Sequence, residues 1–218
     1  QVFFAMDKGE AKSDLVELRR AICRRFISGS DYRFVELPDP KRASDTDYRE
    51  AVADWHVARA MLWAKAIDAE LGPDGVGAFL AWGDPSLYDS TLRILDEVVG
   101  HVELTYDVIP GITAVQALTA RHRIPLNDIG EPVLITTGRQ LRANPLRGSA
   151  VVMLDGECSF VGCPPQTRIW WGAYLGTPDE ILLSGTLGEV GARIVEVRAE
   201  ARARHGWIMD IYLLREPV

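Results

Sequence analysis

The residues whose types and spacing could support chemistry gather at glycine-marked turns. Gly83-Asp84-Pro85 follows an apolar run, Pro110-Gly111-Ile112-Thr113 follows a second, and Thr136-Thr137-Gly138 follows a third. Glycine lets backbone approach a ligand closely, and proline stiffens the loop around it. Ligands of open α/β sheets bind beyond the carboxyl ends of the strands, so three such loops together outline a candidate cleft. Asp84, held between a glycine and a proline, admits two readings at this point. It is either ordinary turn chemistry or the polar point in the floor of a ligand site.

Other chemistries are excluded by what the chain lacks. There is no GxxxxGK[ST] phosphate loop, no HExxH and no GxSxG elbow. Gly75-Val76-Gly77 precedes a strand pattern instead of following one, so it is not a dinucleotide fingerprint. His56, His101, His122 and His205 are scattered, and no metal site is expected from them. Cys158 and Cys163 are five apart, which is neither zinc-knuckle nor redox-pair spacing, and the sparse count of 3 cysteines points to a reducing compartment. With a net charge of −7, the chain is a poor candidate for nucleic acid. The one basic run, Arg198–Arg204, alternates with Ala and Glu and reads as a solvated helix face. No run approaches the roughly 18 apolar residues of a membrane span, and no signal peptide is visible. A cytoplasmic protein without membrane or nucleic-acid partners is the expectation. The chain opens on Gln1, so the native start is expected upstream.

The elements that would position these loops follow from periodicity. Val2–Met6 reads as a strand, and Ser13 or Asp14 with Glu17 caps a helix carrying Leu15, Leu18, Ile22 and Phe26 on one face. Tyr32–Leu37 reads as a strand stopped by Pro38 and Pro40. A long helix from Ser44-Asp45-Thr46-Asp47 to about Leu71 places Val52, Trp55, Ala58, Leu62, Ala66 and Ala69 on one stripe. Val76–Trp82 as strand, Leu87–Val99 as helix, Val102–Ile109 as strand and Thr113–Arg121 as helix complete an alternating order. That order argues a largely parallel sheet. Pro132–Thr136, Ala150–Leu154, Thr167–Leu175, Ile181–Ser184 and Trp207–Leu214 read as strands, with one clear helix at Leu187–Arg204. A mixed sheet, and so a second domain, is expected there.

These residues resemble the tetrapyrrole methylases, the class III S-adenosylmethionine-dependent methyltransferases of corrin and sirohaem synthesis. Gly83-Asp84-Pro85-Ser86-Leu87-Tyr88 is similar to the family's GDPxxY motif, and DVIPGITAVQA (107–117) to its V-x-P-G-I-[ST] segment. KGEAKSDLVELRR (8–20), DTDYREAVADWHVARA (45–60), IPLNDIGEPVLITTGRQL (124–141) and GTLGEVGARIVEVRAEARARHGW (185–207) resemble the corrin branch. The resemblance implies two α/β domains, 1–111 and 112–218. The first has a mainly parallel sheet, the second a mixed sheet, and the cleft lies between them. It also implies an opening strand and glycine-rich loop, expected upstream of Gln1.

The resemblance further implies S-adenosylmethionine as cofactor, S-adenosylhomocysteine as product, a small-molecule tetrapyrrole substrate and a homodimer. The cofactor would meet Gly83, Asp84, Pro85 and Tyr88, with Pro110, Gly111, Ile112 and Thr113 at the hinge. It would also meet Met153 and Leu154 at a strand end, then Ala173, Tyr174, Gly185, Thr186 and Leu187. Asp84 reads equally as an Asx turn, Thr113 as a helix N-cap and Met153 as core packing. Asp45, Tyr48 and Trp55 share roughly one helical face with His56 close by. They would face substrate carboxylates or move a proton, with Asp45 and His56 as candidates for the base that removes an acetyl group. A capping aspartate, a half-buried aromatic pair and a satisfied histidine explain them as well. Arg139 and Arg142 would pair with substrate carboxylates or stand as surface arginines. The implied reaction is methyl transfer to C-1 of precorrin-5 with release of acetate. The alternatives are another ring position or a non-catalytic tetrapyrrole- or nucleotide-binding module.

Overall fold

Val2-Phe3-Phe4-Ala5-Met6 is apolar without alternation, as a strand covered on both faces must be. In the computed structural model, which describes residues 1–7, 13–29, 31–43 and 47–217, it lies within β1 (Val2–Asp7). β1 is the centre of a three-stranded parallel sheet, flanked by β2 (Arg33–Pro38) and β3 (Gly77–Phe79) in the order β2-β1-β3. The helices α1 (Ser13–Phe26), α2 (Tyr48–Glu70) and α3 (Thr91–Val98) accompany it. The chain divides into two compact units, Gln1–Gly111 and Ile112–Val218.

The core of the first unit is built on Val2, Phe4, Trp63, Ile67, Ile94 and Val98. Phe79 stacks on both Phe4 and Trp63, with ring centroids 5.1 and 4.0 Å apart. Those rings set the rotation of α2. Its buried face is Ala60, Trp63, Ala64 and Ile67, one position away from the expected stripe, while Ala58 and Ala69 face solvent. Asp47 caps α2, its carboxylate accepting from the Arg49 and Glu50 N–H groups at 2.9 and 3.3 Å. On α1 Val16 and Cys23 are buried; of the expected face of Leu15, Leu18, Ile22 and Phe26, Leu15 is half-buried and the other three are exposed. The capping expectation at Asp45 lies outside the described residues.

Two further expectations are corrected. β3 spans only three residues of Val76–Trp82, because the Leu80 carbonyl accepts from Arg19 Nε at 2.9 Å in place of a strand partner. Val102–Ile109 forms no strand. Val102 and Leu104 pack on the core, but a strand needs a paired neighbour along its length, and β3 offers little edge.

The second unit opens with α4 (Ala114–His122) and holds a five-stranded sheet in the order β4-β5-β8-β6-β7. Its strands are β4 (Val133–Thr137), β5 (Ser149–Met153), β6 (Arg168–Ala173), β7 (Ile181–Thr186) and β8 (Asp210–Arg215). β4 and β5 run parallel and the remaining neighbours antiparallel, so the sheet is mixed. A short helix unmarked by the sequence, α5 (Gly138–Ala143), follows β4, and a 3₁₀ turn covers Ser159–Gly162. α6 (Leu187–His205) buries Leu187, Gly191, Ile194, Arg198 and Ala201, spaced alternately four and three apart as one face of a helix requires. The core is centred on Trp171, Tyr212, Phe160, Ile169 and Leu214. Each such burial contributes about 1.5–3 kcal/mol before entropy is counted.

Candidate functional site

The turn after β3 is organised by Asp84. One carboxylate oxygen accepts from the Ser86 N–H at 2.9 Å and from the Ser86 hydroxyl, which is an Asx turn. The other accepts from the Gly111 N–H at 2.8 Å, across 27 residues of chain. Asp84 therefore does more than shape its own turn, since it fastens the turn to the Pro110-Gly111 segment. The hydrogen bond from the Ser86 hydroxyl, then those from the Gly111 and Ser86 N–H groups, lower its pKa below the ordinary carboxylate value. Gly111 cannot carry a side chain, because a Cβ there would overlap the Gly83 carbonyl. Gly83 itself has φ 67° and Tyr88 has φ 49°. The result is a polar, backbone-lined turn in which Pro85 and Tyr88 share, beside the exposed Ile109.

Trp55 and His56 are neighbours on α2, their rings 5.4 Å apart. Trp55 is largely committed to the fold: its indole N–H donates to the Pro40 carbonyl at 2.9 Å, and the Arg59 guanidinium lies 4.0 Å over its ring. Arg59 in turn is clamped by Asp39 at 2.7 and 2.6 Å. His56 Nε2 lies 3.0 Å from the Ser90 hydroxyl, just beyond the Asp84 turn. Burial, then the Arg93 and Arg59 charges, lower the His56 pKa, with Glu97 acting the other way. The neutral imidazole is favoured. Tyr48 opens α2, and Asp45 is outside the described residues.

In the second unit, Thr137 pairs with Met153 where β4 and β5 end together. Strand direction and register bring the end of β6 to the same side, so Met153, Leu154, Ala173 and Tyr174 lie at one end of the sheet. Leu154 stands 68% exposed at φ 52°, whereas Ala173 and Tyr174 are buried and the Tyr174 hydroxyl donates to the Trp207 carbonyl at 2.6 Å. The sheet does not bring Gly185, Thr186 and Leu187 to that end. Thr186 pairs with Arg168, at the start of β6, roughly 17 Å of strand away from Ala173. There Thr186 forms a capping box for α6 with Glu189, and Leu187 is buried. Thr113 likewise caps α4, accepting from the Val115 N–H at 3.2 Å, and its neighbour Ile112 is 77% exposed.

Behind the β5 end lies a buried polar network absent from the sequence reading. Asp155 accepts from the Tyr212 hydroxyl at 2.6 Å, from the Ser159 hydroxyl at 2.7 Å and from the Ser159 and Glu157 N–H groups at 2.6 and 3.1 Å. Burial alone would raise its pKa, and these hydrogen bonds more than offset it, so the pKa is lowered. Arg198 ties Asp210 at 2.8 Å to the Asp155 carbonyl at 2.7 Å. Arg142 is drawn in too, donating to Ser159 Oγ at 2.7 Å and pairing with Glu157 at 3.3 Å. Gly138 is glycine because a Cβ would overlap the Asp155 carboxylate, so packing accounts for the third glycine-marked turn. Arg139 is exposed on α5.

Sequence reasoning missed three residues near the Asp84 turn: Ser90, Arg19 and Trp82. Ser90 is hidden because the helical pattern in the sequence starts at Leu87, and Arg19 lies in an ordinary amphipathic helix with nothing to mark it. The Arg19 guanidinium lies 4.9 Å over the Trp82 ring, and the Trp82 indole N–H is buried with no hydrogen-bond partner among the described residues.

The sequence profile of the Tetrapyrrole (Corrin/Porphyrin) Methylases matches residues 8–191. A precorrin-6A synthase (deacetylating) of Sinorhizobium sp is 52% identical over 221 residues, spanning 99% of this chain and 85% of that protein. The crystal structure of a cobalamin synthesis related protein (CobF) from Corynebacterium diphtheriae matches with a TM-score of 0.82 at 44% identity, over 99% of this chain and 87% of that one. The uroporphyrin-III C-methyl transferase of Thermus thermophilus, complexed with S-adenyl homocysteine, shares the fold. Its TM-score is 0.58 at 17% identity, over 99% of this chain and 92% of that one.

Proposed function

We propose, since this chain belongs to the tetrapyrrole (corrin/porphyrin) methylases, that it is an S-adenosylmethionine-dependent C-methyltransferase of corrin biosynthesis. It methylates C-1 of precorrin-5 with release of acetate, giving precorrin-6A. The observation that carries this reading is the 52% identity, over 99% of the chain, to a precorrin-6A synthase (deacetylating). The reading includes a homodimer in the cytoplasm.

The Asp84 turn fits a cofactor with a sulfonium charge and an amino-acid end. The absence of a side chain at Gly111 lets its segment close against the Gly83 backbone, and Asp84, with a depressed pKa, keeps a carboxylate charge at that junction. In the first unit the proposed cofactor residues are Gly83, Asp84, Pro85, Tyr88, Pro110 and Gly111. In the second they are Ile112, Met153 and Leu154, with Ala173 and Tyr174 at the β6 end. S-adenosylmethionine supplies a methyl group already made electrophilic by its sulfonium. This chain's residues therefore have to align the acceptor carbon and exclude water, work that depends on proximity and orientation. In this reading Tyr48 and Trp55 are substrate-side residues, and Arg139 is the partner for the tetrapyrrole's carboxylates. Arg142 reaches them only by giving up its bonds to Ser159 and Glu157. His56 or Asp45 is the base for acetyl removal.

The test is incubation with S-adenosylmethionine and precorrin-5, measuring acetate and S-adenosylhomocysteine together. Equal amounts of both are expected. Methyl transfer without acetate would move the reaction to another ring position. Neither product, despite cofactor binding, would leave a binding module.

A further inference from the structure

Ser90 occupies the N-cap position of α3, yet its side chain makes no cap hydrogen bond. Serine at this position ordinarily turns its hydroxyl onto the first free N–H groups of the helix. Here Asp89 meets that need, its carboxylate accepting from the Thr91 N–H at 2.6 Å. The Ser90 hydroxyl points instead at His56 Nε2, 3.0 Å away. A serine released from capping and set against an imidazole has the arrangement of an activated nucleophile with its base. Burial and the Arg93 and Arg59 charges favour the neutral ring, able to accept a proton, while Glu97 acts against them. Both residues are half-buried.

From this geometry we infer that Ser90 is the nucleophile, and His56 its base, in removal of the acetyl group. The inference rests on the functional reading above and specifies its deacetylation half. On that reading methyl transfer and acetate release act on one bound substrate, so both sites must adjoin. Ser90 follows Tyr88 by two residues, at the end of the turn assigned to the cofactor.

The step balances as an acyl transfer. Ser90 Oγ bonds to the acetyl carbonyl carbon while its proton passes to His56 Nε2. The bond from that carbon to the ring carbon breaks, and its electron pair stays on the ring carbon, which is thereby made nucleophilic. The proton on His56 is lost to solvent. Water then adds to the acetyl ester, giving one proton to His56. Acetate leaves, and Ser90 Oγ regains its proton.

The experiment compares wild type, Ser90→Ala and His56→Phe with precorrin-5 and S-adenosylmethionine, following acetate. Rapidly quenched samples are mapped for an acetylated peptide containing Ser90. Cofactor binding by calorimetry and thermal melting serve as folding checks. Acetate release is expected to fall at least about 100-fold in both variants, with cofactor affinity and melting nearly unchanged in Ser90→Ala. The Ser90 peptide should carry acetyl in wild type. A Ser90→Ala protein within threefold of wild type, or acetyl found only elsewhere, overturns the inference. Wild-type protein that releases no acetate from precorrin-5 overturns the functional reading instead. p-Nitrophenyl acetate, which needs neither cofactor nor tetrapyrrole, then tests the pair alone. Acetylation of Ser90 that is slowed in His56→Phe supports the pair, and equal reaction of Ser90→Ala and wild type refutes it.

Discussion

Gly83 and Gly111 lie backbone against backbone, so close that a Cβ on Gly111 would overlap the Gly83 carbonyl. The Asp84 carboxylate bridges the same two segments through the Gly111 N–H at 2.8 Å. Gly111→Ala should force the two segments apart and lose that hydrogen bond. A loss of about 1–3 kcal/mol in urea unfolding is expected, together with at least tenfold weaker binding of S-adenosylmethionine. Unchanged cofactor affinity would detach this turn from the cofactor.

Asp84 should titrate below an ordinary aspartate, because its charged form receives the Ser86 hydroxyl and the Gly111 and Ser86 N–H groups. The clamp is present above the ordinary carboxylate pKa of about 3.9, and is lost as pH falls through the lower folded value. Carboxyl chemical shifts followed by NMR should show this depressed midpoint. Ser86→Ala should move it upward, and a midpoint that stays put would mean the hydroxyl does not reach Asp84 in solution.

The Arg198–Asp210 pair is almost fully buried, with side-chain exposures of 9% and 6%. Asp210→Ala leaves a guanidinium without its carboxylate and also removes the acceptor of the Trp171 indole N–H. A cost of about 3–5 kcal/mol is expected in chemical denaturation. Adding Arg198→Met should recover part of it, since the stranded charge is then gone. Strictly additive effects would contradict a direct pair.

Leu154 holds a left-handed backbone conformation while its side chain stands in solvent. Leucine pays strain there of about 1–2 kcal/mol, partly offset in glycine by the entropy of a freer unfolded chain. Leu154→Gly should therefore be neutral to about 1 kcal/mol more stable by urea midpoint. It should bind S-adenosylmethionine more weakly if the leucine covers the cofactor. Tighter or equal binding would remove Leu154 from the cofactor's surroundings.

Local patterns carried much of this fold into view. The apolar run of β1, the N-cap signal before α4 and the four-three spacing on α6 depend on residues close in sequence. What stayed hidden depends on distant partners. Val102–Ile109 has strand-like alternation, but whether it joins a sheet is decided by the length of β3. The buried stripe of α2 is set by where Phe79 meets Trp63. The family resemblance groups Gly185, Thr186 and Leu187 with the cofactor-side residues, and only the antiparallel register places them at the other end of the sheet from Ala173. At the site, the Asp84 turn was legible because glycine, aspartate and proline each restrict the backbone. Ser90 was not, because the role of a serine depends on which neighbour has already capped the helix.

The order β4-β5-β8-β6-β7 puts the strand made last in the middle of its sheet. β8 joins β5 to β6, and no other strand of that sheet bridges the two. On a ribosome, β4 with β5 and β6 with β7 emerge as two separate ribbons, each with an unsatisfied edge. The second unit can close its core only after residues 210–215 have left the exit tunnel. Its assembly is then a late event of synthesis and not a gradual one, and until it happens those two ribbon edges need protection from other nascent chains.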